Sequence, residues 1–127
     1  MASPDDIRAT IESYAACMTA GDREGWLDLF AADATLEDPV GTDVRTGRDE
    51  IGEFWDFTRS LSSSIEMRLT GPVKVVAGEG AFAFLVISAV GDSQLAADII
   101  DAMTFDDEAK ITGMRAYWDF ADMRPYP

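Results

Sequence analysis

The chain has 127 residues, 47% of them hydrophobic, with 24 acidic and 10 basic side chains, one cysteine and no histidine. Length and composition predict a single domain over residues 1–127 with one sizeable core, and the net charge of −14 argues against nucleic acid or an anionic membrane as partner. Without histidine the Ser-His-Asp triad, the Cys-His pair and the usual zinc ligands are excluded, so any proton chemistry falls to Asp, Glu, Tyr, Lys or Cys.

In chain order, Ser3-Pro4-Asp5-Asp6 reads as a helix start, with a capping serine, a first-turn proline and acids at the positive end of the dipole. Ile7, Ile11, Tyr14, Ala15 and Met18 follow at helical spacing and mark one apolar face, which Gly21 ends. A second, short helix is expected from about Asp22 to Phe30, with Trp26, Leu27 and Phe30 facing in. Thr35 to Asp38 reads as a short strand ended by Pro39. Thr46 and Asp49 form a capping-box pattern before a third helix, roughly Arg48 to Ser60, that carries Ile51, Phe54, Trp55 and then Leu61.

The second half reads as strands. Ile65, Met67 and Leu69 alternate with polar residues, and Gly71-Pro72 breaks the run. Val73 to Ala77 leads to a turn at Gly78-Glu79-Gly80. Ala81 to Val90 is apolar on both faces, as a central or covered strand would be. After Gly91-Asp92, Gln94 to Phe105 and Ile111 to Phe120 are the last strands, joined by the polar turn Asp106 to Lys110. Three helices followed by an antiparallel meander make an α+β pattern, with helices packed on one face of a sheet. A curled sheet of this kind encloses a pocket against its helices.

The lone Cys17 allows no intrachain disulfide, and the acids at the start of the chain are unlike a secretory signal, which fits a cytoplasmic protein. No apolar run approaches the roughly 20 residues of a membrane span. There is no phosphate-binding glycine loop, no dinucleotide fingerprint and no spaced cysteine cluster, so neither metal nor cofactor is expected.

Three polar groups sit where the pattern wants hydrophobes. Asp101 shares the odd-numbered face of its strand with Leu95, Ala97, Ile99, Met103 and Phe105. Burial there favours the neutral, hydrogen-bond-donating acid. A structural aspartate held by an arginine or by backbone amides fits the same pattern. Tyr14 lies on the apolar stripe of the first helix, either as a core tyrosine or as a hydroxyl aimed into a pocket. Asp38 falls on the side of Leu36, either as a turn aspartate before Pro39 or as a base at a pocket mouth. Trp118, on the face of Met114, carries an indole N–H that seeks an acceptor. One ionised carboxylate, one phenol and one neutral carboxylic acid are the parts needed to remove a proton beside a carbonyl and hold the resulting enolate.

The stretch Phe30-Ala31-Ala32-Asp33-Ala34-Thr35-Leu36-Glu37-Asp38-Pro39-Val40-Gly41 resembles the signature of the bacterial Δ5-3-ketosteroid isomerases, within the NTF2-like or SnoaL-like superfamily. So do Leu69-Thr70-Gly71-Pro72-Val73, Asp98 to Asp106 and Met114-Arg115-Ala116-Tyr117-Trp118, and Tyr14 stands where that family has its catalytic tyrosine. The resemblance implies a cone-like fold, three helices on a curved, mostly antiparallel sheet around an apolar pocket. It also implies isomerisation of 3-oxo-Δ5-steroids without a cofactor, in a homodimer. Asp38 would shuttle the proton, while Tyr14 and protonated Asp101 would form the oxyanion hole, as this family is known to do. Met18, Phe54, Trp55, Phe82, Phe84, Val86, Ile99, Met114 and Trp118 would line the steroid site.

The chain departs from some members that carry tyrosines at the positions of Phe30 and Trp55, so the phenol network behind Tyr14 is reduced. Two other readings accompany this one: another enzyme of the same fold, polyketide cyclase-like, or a non-catalytic binder of a hydrophobic ligand.

Overall fold

A computed structural model describes residues 1–127. Helix α1 (Pro4–Ala20) opens as its sequence dictates: the Ser3 hydroxyl accepts the Asp6 N–H at 3.1 Å. It closes at Gly21 in the left-handed conformation, φ +71, where a side chain would be strained. Ile7, Ile11, Tyr14 and Ala15 form its buried face. Ile7 and Ile11 are fully enclosed, each contributing about 1.5–3 kcal/mol of apolar burial. Helix α2 is only Arg23–Leu27.

Phe30 is therefore not helical. It starts strand β1 (Phe30–Glu37), which begins earlier than expected because Phe30 pairs with Ile111 of the distant strand β7 (Ile111–Tyr117). A two-residue strand β2 (Arg45–Thr46) precedes helix α3 (Gly47–Leu61). Thr46 is the N-cap of α3, but its side chain makes no capping bond. Glu50, one residue beyond the expected Asp49, accepts the Thr46 N–H at 3.0 Å instead. Ile51 and Trp55 are buried, whereas Leu61 is 58% exposed, contrary to expectation, because the helix ends there beyond the core.

Strands β3 (Ser64–Leu69), β4 (Lys74–Val76), β5 (Glu79–Val90), β6 (Ser93–Phe105), β7 and the short β8 (Arg124–Pro125) complete the sheet, with a single 3₁₀ turn at Phe120–Asp122. The strand order is β2-β1-β7-β6-β5-β3, with β4 also on β5 and β8 on β6. All pairs are antiparallel except β1 with β7, which is parallel. β7 stops at Tyr117, so Phe120, predicted in the last strand, lies in the 3₁₀ turn and is exposed.

The helices and the inner sheet face share one core that includes Trp26, Phe30, Leu36, Phe82, Met103 and Met114. Ile87 and Ala96 are buried outside that core, which accounts for the two-faced apolar reading of β5. Arg59 ties α3 to α1: its guanidinium donates to the Met18 carbonyl and lies 4.3 Å from the centre of the Trp55 ring. A cation at the C-terminal end of α1 complements the helix dipole. No helix is long and apolar enough to cross a membrane.

Candidate active site

Asp101 is the one charged-type side chain in the fully buried set, 1% exposed. The alternation expected of β6 holds: Ala97, Ile99, Asp101 and Met103 point in, while Asp98 and Ile100 point out. Asp101 sits between Phe82 of β5 and Ala116 of β7. No arginine or backbone amide holds it, and its Oδ1 has no hydrogen-bond partner. Burial, reinforced by the negative charge of Asp38, pushes its carboxyl well above the ordinary range. A shift in this direction favours the neutral, proton-donating form of the acid.

Tyr14 reaches the same region from α1 and is 3% exposed. Its ring packs on Trp26 at 5.7 Å and on Phe30 at 6.2 Å between centroids. Burial first, then the Asp101 and Asp38 carboxylates in their ionised forms, raises its phenol well above the usual value, so it too remains a donor. The opposing influence is the indole of Trp26. That N–H is buried and aligned with no acceptor at hydrogen-bond geometry, but it lies near enough to the phenol to favour its ionised form.

Asp38 follows the last residue of β1 and is half-buried. The Trp118 indole donates to its Oδ1 at 2.7 Å. Burial lifts the Asp38 carboxyl to about 6, while the Trp118 bond and the charge of Arg45 pull it back down. A carboxylate shifted in this direction accepts a proton more readily than an exposed one. The turn beyond it is held by its neighbour: Glu37 accepts the Gly41 N–H at 2.9 Å and the Arg115 guanidinium at 3.0 Å. Val40 N–H bonds to the Ala116 carbonyl at 2.8 Å. Gly41 itself has φ +100, a conformation that favours glycine.

The three candidate groups thus come from the end of β1, α1 and β6, and the influence of Asp38 on the acidity of both Tyr14 and Asp101 places them in one cluster. Of the predicted wall residues, Trp55, Phe82, Phe84, Ile99 and Met114 belong to the core, and Met18, Phe54, Val86 and Trp118 pack against it half-buried. Two neighbours escaped the sequence reading. Trp26 was seen only as a core residue, and Arg45 lay in a stretch read as polar loop. The helical spacing of Trp26 beside Gly21 could have pointed to the first; nothing local pointed to the second. A surface cavity of about 560 Å³ lies elsewhere, between α2 and α3, and is lined mostly by charged side chains including Arg23, Arg48 and Glu53. No group of His, Cys, Asp and Glu side chains is clustered closely enough to hold a metal.

Residues 11–114 match the SnoaL-like domain. The chain is 40% identical over 118 residues to a steroid Delta-isomerase of Nocardioides simplex, covering 93% of this chain and 94% of that protein. Among solved structures, it resembles the epoxide hydrolase/cyclase-like enzyme SalBIII, which acts in pyran ring formation in polyether salinomycin. That likeness has a TM-score of 0.89 at 23% identity, covering 99% of this chain and all of that one. RV0760c of Mycobacterium tuberculosis is similar at a TM-score of 0.87 and 23% identity over the same shares. These two likenesses show the cone-like α+β fold and no more.

Proposed function

This chain belongs to the SnoaL-like domain family, and from that membership we propose that it isomerises 3-oxo-Δ5-steroids to conjugated 3-oxo-Δ4-steroids. The observation that carries the reading is the division of acidity within one cluster. Asp38 is tuned to about 6, while Tyr14 and Asp101 are both pushed upward and keep their protons. The 40% identity to a steroid Delta-isomerase supports it.

Asp38 takes the proton from the carbon between the carbonyl and the double bond. The C–H electron pair flows into the ring system and onto the C3 oxygen, giving a dienolate. Tyr14 and protonated Asp101 donate to that oxygen as its charge grows, and a buried site makes such donors worth more than in water. Asp38 then returns the proton two carbons farther along, and the carbonyl re-forms. Proton and electrons balance without a cofactor. Trp118 holds the Asp38 carboxylate in place between the two transfers, and the apolar residues around the cluster take up the steroid skeleton.

The homodimer implied by the resemblance has a face to use: Ile100 and Tyr117 are cross-strand neighbours on the outer side of the sheet, 52% and 46% exposed.

The test is the absorbance of 5-androstene-3,17-dione mixed with the protein. Growth of the conjugated-enone band with wild type, and its near absence with folded Asp38→Asn, is the expected result. A wild type that binds the ketone without converting it would make the protein a binder; an Asp38→Asn variant at full rate would remove Asp38 from the mechanism.

A further inference from the structure

We infer that Arg45 is a positioning residue of the active site, a fixed cation that keeps Asp38 in its proton-accepting, ionised form. The inference rests on the proposed isomerase reading and adds a residue to it.

Three observations carry it. Arg45 is the direct cross-strand partner of Leu36 in the β1–β2 pair. Cross-strand partners share a face, and Leu36 is 1% exposed, so Arg45 is on the inner side of the sheet, at its edge, beside the Asp38 turn. Its guanidinium carbon lies over the Phe54 ring, 5.1 Å from the ring centre, a cation–π contact that limits where the charge can wander. Finally, it is unclaimed. Arg8, Arg23, Arg68, Arg115 and Arg124 pair with carboxylates, and Arg48, Arg59 and Lys110 bond to backbone carbonyls. Arg45 does neither, although the chain offers 24 acidic side chains.

The groups around Asp38 make the role specific. From α1 comes Tyr14 and from β6 Asp101, both neutral and both sensitive to the Asp38 charge. From beyond β7 comes the Trp118 indole, a neutral donor. Glu37, the adjacent acid, is bound to Arg115 and the Gly41 amide. Arg45 is the one full charge acting on Asp38, and it acts against the burial that drives the carboxyl toward its protonated form.

The experiment follows the Asp38 carboxyl by ¹³C NMR titration in the ligand-free protein, alongside kcat/KM against pH for 5-androstene-3,17-dione. In Arg45→Gln the Asp38 titration should move up by about 0.5–1 pH unit, the scale of one partly screened charge. The acid limb of kcat/KM should move with it, giving about a 3- to 8-fold loss at pH 5.5 for a base titrating near 6 and little change above pH 8. Arg45→Lys should restore most of the wild-type limb. Arg45→Met, which keeps the apolar stem over Phe54, serves if the Gln variant fails to fold. An Asp38 titration unchanged in both variants, or a loss of rate equal at every pH, overturns the inference. A wild type that does not isomerise the steroid would sink the functional reading alone, since the titration still judges Arg45.

Discussion

Replacing Asp101 by Asn should make the protein more stable, increasingly so as pH rises. The wild-type carboxyl, 1% exposed with an unpartnered oxygen, holds its proton well beyond the ordinary 3.8. The unfolded chain releases that proton above about pH 4. The folded state therefore binds one proton more than the unfolded state. The contribution of this group is fully present below pH 4 and is lost as pH rises toward the folded-state value. The loss runs at up to about 1.4 kcal/mol per pH unit until the folded-state carboxyl itself titrates. Asparagine has nearly the same shape and no proton to hold, so its stability lacks this slope. Asp38, raised to about 6, faces a neutral group at position 101 in both proteins as long as Asp101 keeps its proton, so its contribution nearly cancels. Urea unfolding followed by tryptophan fluorescence, at one protein concentration and at pH 5, 6 and 7, measures the difference. Parallel stability curves for wild type and Asp101→Asn, or a wild type that gains on the variant as pH rises, would refute a buried neutral acid. The variant's added stability should come with slower turnover, a trade expected where a strained group serves chemistry.

Two further outcomes are expected. Tyr14→Phe keeps the ring packed against Trp26 and Phe30 but removes an oxyanion donor, so kcat should fall about 10²–10³-fold with the unfolding midpoint nearly unchanged; stopped-flow absorbance and urea unfolding separate the two effects. Gly41→Ala meets no neighbouring atom within 4 Å but must adopt φ +100, so about 1–2 kcal/mol of stability should be lost through backbone strain alone, read from the shift in denaturation midpoint.

The placement of those candidate residues that lie on regular elements was legible in the sequence. The 3–4 residue spacing of α1 puts Tyr14 on the buried face, and the two-residue alternation of β6 does the same for Asp101, because both periods are local properties of the backbone. What depends on distant pairing was not legible. Phe30 stands at helical spacing from Trp26, yet it becomes a strand residue because Ile111 lies beside it, and tertiary pairing overrides local pattern. The antiparallel meander read from the second half holds, but the parallel β1–β7 pair has no signature in either segment. Arg45 looked like loop because two residues are too few to show a period. Trp118 was expected on a strand face with Met114; β7 ends one residue before it, and its indole meets Asp38 instead.

That meeting has a consequence for how the protein comes into being. Asp38 and Trp118 are separated by 80 positions along the chain, and β1 is flanked by β7, nearly as distant. While the chain is being made, β1 has no neighbour on that side until the strand carrying Ile111 to Tyr117 has emerged. Such long-range closure places folding toward the slower part of the microsecond-to-second range. The acidity of Asp38 is then among the last properties the molecule acquires, because its indole partner arrives only with the residue that follows β7. Recovery of its titration during refolding marks the moment at which the two ends of the chain have joined.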